Sequence, residues 1–98
     1  MAVRIFIKRT VPSDKAKEMI SLFRQMRQLA LQQPGYISGE TLRNYNDPNE
    51  FLVVSSWNTA ADWESWMQSP VRQKMQDKID FLLGGKTDYD IFHYGFAE

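Results

Sequence analysis

Cysteine is missing from this chain, which removes disulfide staples, thiolate metal ligands and thiol nucleophiles together. Histidine occurs once, as His93, so a zinc site of Cys and His ligands cannot be assembled, and no metal is expected. Net charge is lacking too: twelve basic side chains balance twelve acidic ones. Without the basic stripe that displaces counterions from phosphates, a nucleic-acid partner is not expected. No apolar run approaches the roughly 18 residues of a membrane span. The N-terminal MAVRIFIKR is interrupted by Arg4 and Lys8, unlike the apolar core of an export signal. A soluble, cytoplasmic protein with no membrane partner is therefore expected. A phosphate-cradling glycine loop, a dinucleotide fingerprint, a nucleophile elbow and paired metal histidines are also absent.

What the chain does have is aromatic residues. Six Phe, four Tyr and three Trp stand among 98 residues that are 43% apolar. A chain of this size makes one domain, residues 1–98, and buries about 65% of its extended surface, which gives a modest core. So many large rings call for a second subunit or a ligand-lined cavity to cover them.

Val3, Ile5 and Ile7 alternate with Arg4, Phe6 and Lys8, the period of a strand with one buried face. Thr10, Pro12 and Ser13 end it, and Ser13 suits a helix N-cap. Ala16, Met19, Ile20, Phe23, Met26, Leu29 and Ala30 then recur at helical spacing, up to the Pro34-Gly35 stop. Tyr36 to Tyr45 reads as a second strand, with Gly39 a bulge or a point of close approach. After the Asn46-Asp47-Pro48-Asn49 turn, Phe51 to Val54 runs apolar into Trp57, as a strand covered on both faces does. Asn58 or Thr59 caps a helix from Ala60 to Gln68. Ser69-Pro70 then starts another, carrying Val71, Met75, Ile79, Leu82 and Leu83, which Gly84-Gly85 ends. Asp88 to Phe96 is an aromatic last strand. The β-α-β-β-α-β order predicts an α+β fold, a ferredoxin-like antiparallel sheet with its helices on one face. The bare face, carrying Phe6 and strand-four aromatics, predicts a homodimer through the sheets. RNA-recognition modules share the element order, but Glu50-Phe51-Leu52-Val53-Val54 lacks their basic residue and glycines.

The most informative stretch runs from Pro34 to Pro70. It holds Pro34-Gly35-Tyr36, Asp47-Pro48, Trp57 and Trp66-Met67-Gln68-Ser69. In this order the features resemble the antibiotic biosynthesis monooxygenase family, over about residues 2–94, and the resemblance implies a dimeric α+β barrel. It also implies one of three kinds of member: cofactor-independent oxygenases of anthrones and quinols, haem-degrading monooxygenases, and relatives with isomerase or unknown activity. Haem degraders of the family pair a strand-one Asn with the helix Trp and a His ten residues later. Here Trp66 fits, but Ile7 and Gln76 stand in the other two places, without the amide and the axial imidazole that haem chemistry needs. Oxygenases of anthrones and quinols need less, because the electron-rich substrate supplies the reducing power once deprotonated. The protein holds a flat ring, favours its anion and admits dioxygen, with no cofactor.

On that basis Phe23, Trp57 and Trp66 are the expected substrate-binding walls. The anthrone oxygenases carry an Asn four residues before the helix Trp and a Tyr six after it, and this chain has Asp62 and Arg72 there. Asp62 is the candidate base and Arg72 the candidate oxyanion support, against the default that charges on a helix are solvated. His93, the one side chain that ordinarily titrates near neutrality, is the candidate proton acceptor, against a plain interface role. Trp66 competes with its own alternative as a core anchor. The expected activity is cofactor-independent oxygenation of a small quinol-like or polycyclic phenolic molecule by dioxygen. The competing class is a non-catalytic small-molecule binding module, and haem degradation ranks third.

Overall fold

The computed structural model describes residues 2–84 and 87–93. Strands β1 (Val3–Thr10), β2 (Tyr36–Arg43), β3 (Glu50–Trp57) and β4 (Asp88–His93) form one antiparallel sheet in the order β2-β3-β1-β4. Helices α1 (Ala16–Ala30), α2 (Ala60–Gln68) and α3 (Pro70–Leu83) complete it. This is the expected ferredoxin-like α+β architecture. Gly85, Tyr94 and Phe96 of the sequence reading lie outside the described residues.

Side-chain parity gives the sheet its two faces. Along β1, Val3, Ile5, Ile7 and Arg9 are buried while Arg4 and Lys8 are exposed and Phe6 half-buried. The register carries the buried parity across the sheet: Val3 pairs Trp57 and His93, Ile5 pairs Ser55 and Ile91, Ile7 pairs Val53 and Tyr89. Those residues face the helices, except that His93, exposed at the end of β4, borders the opposite face. Arg4, Phe6, Lys8, Leu52, Val54, Asp88, Asp90 and Phe92 share the opposite, bare face. There Phe6 and Phe92 meet edge to face at 5.1 Å.

Two caps behave as the sequence suggests. Thr59 Oγ1 accepts from Asp62 N at 3.1 Å and Ser69 Oγ accepts from Arg72 N at 3.2 Å, satisfying first-turn donors of α2 and α3. Gly84, at φ 70°, ends α3 in the left-handed conformation. Three local expectations change. Ser13 opens a short 3-10 turn and makes no side-chain cap to α1. The second strand ends at Arg43 rather than Tyr45, because Asn46 N already donates to Asn44 Oδ1 at 2.8 Å and turns the chain. Val71 is exposed, since α3 buries Arg72, Met75, Gln76 and Ile79 instead. Gly39 is a close approach: a Cβ there would meet the Tyr36 hydroxyl at 2.5 Å, while the register shift falls between Tyr36 and Ser38. Among the described residues no helix is long and apolar enough to cross a membrane.

Candidate functional site

The core splits into two apolar clusters, one around Val11, Met19, Phe51 and Ile79 and one around Ile5, Trp57, Trp63 and Trp66. Between sheet and helices lies a cavity of about 70 Å³, bordered by Phe23, Trp57, Trp63, Trp66, Arg9 and Arg72 among others. The aromatic wall is a chain of edge contacts. Tyr36 meets Trp57 at 5.3 Å, Trp57 meets Trp63 at 5.8 Å and Trp63 meets Tyr89 at 5.7 Å, separations at which tilted rings attract. Trp57 Nε1 donates to Ser55 Oγ at 3.1 Å. Trp66, 4% exposed, belongs to the core cluster and also lines the cavity.

Opposite the indoles stand two cations. Arg9 points inward because it continues the buried parity of β1. Arg72 is buried because α3 turns that face to the sheet, and it is 2% exposed, contrary to the solvated default. A single amide oxygen serves both. Gln76 Oε1 accepts from Arg9 Nη2 at 3.1 Å, from Arg72 Nη2 at 3.5 Å and from the Tyr89 hydroxyl at 3.0 Å. Arg72 Nη2 also donates to Tyr89 Oη at 2.9 Å. Asp80 joins only through intermediaries, accepting from Gln76 Nε2 at 2.8 Å and Thr87 Oγ1 at 3.0 Å. Rings supply the rest: Arg9 lies 5.0 Å from the Phe23 centroid, and Arg72 5.2 Å from Trp63 and 5.0 Å from Tyr89, within cation–π range.

Hydrogen bonding is incomplete here. Arg9 Nε, Arg72 Nε and Trp63 Nε1 are buried without an acceptor among the described residues, in a fold where buried donors are almost always paired. Burial pushes the Arg9 guanidinium down from the ordinary arginine range to about 10, with Tyr89 and Asp80 partly compensating and Arg72 repelling it.

Four of the six expected site residues, Phe23, Trp57, Trp66 and Arg72, therefore meet around one cavity. The other two stand elsewhere. The Asp62 carboxylate sits against the Pro34-Gly35 turn, where a Cβ on Gly35 would run into it, at the favourable N-terminal end of α2. His93, at the end of edge strand β4, borders a wide shallow depression of about 650 Å³ on the bare sheet face with Arg4, Phe6, Lys8 and Phe92. That depression is larger, but the buried polar groups lie on the helix side. Arg9, Trp63 and Tyr89 escaped the sequence reading. Arg9 shares the parity of Val3, Ile5 and Ile7, and Trp63 stands three residues from Trp66 on a helix, so spacing carried a signal for both. Ile7 borders the cavity, whereas the Gln76 amide is engaged with both arginines, Tyr89, Asp80 and Thr87.

Residues 2–78 match the family profile described as antibiotic biosynthesis monooxygenase. The chain belongs to that family. Among solved structures, a conserved protein from Methanosarcina mazei Go1 superposes on this antibiotic biosynthesis monooxygenase domain with a TM-score of 0.87 at 17% identity. It covers 95% of this chain and 92% of that one. SnoaB, a cofactor-independent oxygenase from Streptomyces nogalater, superposes with a TM-score of 0.84 at 18% identity, covering 98% and 95%. Both likenesses establish the fold. A curated relative, the 42.8 kDa protein in the whiE locus of Streptomyces coelicolor, is 24% identical over 67 residues. The match takes in 68% of this chain and 17% of that protein's length.

Proposed function

We propose that the protein is a cofactor-independent monooxygenase that inserts an oxygen atom from dioxygen into a quinol-like or polycyclic phenolic small molecule, acting in the cytoplasm as a homodimer. The observation that carries the proposal is a buried cation beside apolar ring walls: Arg72, 2% exposed, with an Nε lacking an acceptor, facing Trp63, Trp66 and Phe23 across one cavity. In such a low-dielectric site a fixed positive charge favours the ionised substrate over the neutral one. The ionised ring is the reductant. Its activated C–H carbon takes one oxygen atom and becomes a carbonyl, the second atom leaves as water, and the substrate supplies all the electrons. Phe23, Trp57 and Trp66 hold the ring plane, and Arg72 holds the oxyanion. This reading assigns no role to Asp62 or His93, which do not border the cavity.

Oxygen uptake with a quinol or anthrone tests this directly. Uptake above autoxidation is expected, insensitive to metal chelators and lowered on the order of 10²-fold by Arg72→Gln. Uptake indistinguishable from the protein-free rate overturns the assignment. One observation favours a second reading, a binding module: among the described lining residues no histidine is present, and Glu40, the lining carboxylate, is exposed. Saturable binding without turnover distinguishes it. The homodimer rests on the bare sheet face, where Phe92 is 55% and Leu42 44% exposed, a surface that a second sheet covers.

A further inference from the structure

A transient oxyanion calls for one cation, and this cavity has two buried ones, Arg27 being exposed at its edge. Arg9 and Arg72 are 5% and 2% exposed, and among the described residues neither is paired with a carboxylate. The ion pair described, Lys8 Nζ to Glu50 Oε2 at 3.6 Å, is on the sheet's outer side. Asp80, held behind Gln76, offsets one of the two buried charges at a distance; Arg27 and Glu40, both exposed at the cavity's edge, carry opposite charges, and among the described residues no carboxylate pairs with the second buried cation. Buried charges of this kind ordinarily neutralise or pair. With Trp63 Nε1, the two Nε atoms make three buried N–H groups without acceptors among the described residues, all on side chains that line the same cavity.

We propose that this cavity is a receptor for a preformed monoanion, and that its ligand is a planar aromatic carboxylate held by Arg9 and Arg72 and faced by the tryptophans. The proposal deepens the oxygenase reading and rests on its choice of site. A carboxylate offers two oxygens in the plane that guanidinium groups recognise, and one negative charge balances the one left over. A phosphate would bring more charge than the site lacks. Size agrees with a flat head group: about 70 Å³ is roughly half the 150 Å³ that takes up a whole benzene ring. The carboxylate end therefore occupies the closed space, and the ring extends past Phe23 and Met26 towards Gly39 and Thr41 on β2, which border the same cavity.

Salicylate and benzoate, titrated beside phenol at neutral pH and followed by the indole N–H resonance of Trp63, provide the test. Both carboxylates are expected to bind about tenfold or more tightly than phenol, the margin of a charge-assisted hydrogen bond. Arg9→Met and Arg72→Met should each lower the ratio of carboxylate to phenol affinity by about that margin, and Arg9→Lys and Arg72→Lys should keep part of it. If a methionine variant fails to fold, the wild-type comparison and the lysine variants still decide. Equal affinity for phenol and benzoate, or a carboxylate preference that survives both methionine variants, overturns the proposal. Oxygen uptake separates the two readings. Carboxylate-selective binding without turnover removes the oxygenase and keeps the receptor. Turnover of neutral quinols with no carboxylate preference does the reverse.

Discussion

Replacing Arg9 by methionine should make the unliganded protein more stable, although it deletes a buried side chain that makes a hydrogen bond. The guanidinium's drop from the ordinary arginine range to about 10 corresponds, at about 1.36 kcal/mol per pH unit, to roughly 3 kcal/mol held against the folded state by the charged form. The group is a base whose folded value is depressed, so this cost is fully present at neutral pH and is relieved only as pH rises through about 10. Little opposes its removal. Gln76 Oε1 keeps Arg72 and Tyr89 as donors, and a thioether against Phe23 replaces much of the cation–π contact. After allowing for the lost Gln76 bond, Arg9→Met should gain about 1–2 kcal/mol, raising Tm by about 4–8 °C per kcal/mol for a domain of this size. Urea unfolding and thermal melts measure it. A loss of more than about 1 kcal/mol would refute the reasoning, because it would mean that Arg9 is compensated within the fold. Benzoate should raise the Tm of the wild type more than that of the variant, through mass action on the folded state.

Trp66→Ala removes a residue that is both core and cavity wall. Because part of the indole already borders empty space, its cost should fall below the roughly 3–5 kcal/mol of a fully packed tryptophan, while quinol turnover drops on the order of 10²-fold. Stability lost in step with activity, measured by urea unfolding beside oxygen uptake, would make it structural only. Phe92→Asp should halve the particle mass in light scattering, by placing a charge beside Phe6 on the proposed association face. Gly35→Ala should cost about 2 kcal/mol or more in a melt, from φ 86° and from the clash with Asp62, and adding Asp62→Ala should recover only part of the clash component, because the Cβ at position 62 itself stands 2.6 Å from the added methyl. Haemin titration should give no sharp Soret band, since Gln76 is engaged by its neighbours and stands where the haem degraders have an imidazole.

Strand and helix placement was legible because it depends on local periods: β1 by its alternation, the break at Pro70 by proline's missing donor, the end of α3 by Gly84. The site was half legible. Phe23, Trp57 and Trp66 were visible as large rings at buried spacing. Arg72 looked solvated because its burial comes from what α3 packs against, which helical periodicity does not reveal. The polar cluster was hidden for the same reason: Arg9 and Gln76 are 67 positions apart, and only the folded sheet brings them together. Arg9 also ran against the habit of discounting a charged residue on an otherwise apolar face. Its parity marked it as inward, and that mark outweighs residue type in a strand flanked on both sides.

The two faces of β1 also limit how this chain can diverge. Inserting one residue near Val3 would exchange every side chain from Ile5 to Arg9 between faces, sending Phe6 and Lys8 inward and moving Ile7 and Arg9 to the bare side. Pocket and outer surface would be lost in a single event, because both are written on alternate letters of the same strand. Natural variants should therefore change in length outside β1, as in the 44–49 turn, whose backbone is held by its own Asn44 and Asp47 side chains. Within β1 they should change by substitution alone, with pocket specificity evolving at odd positions and the outer surface at even ones.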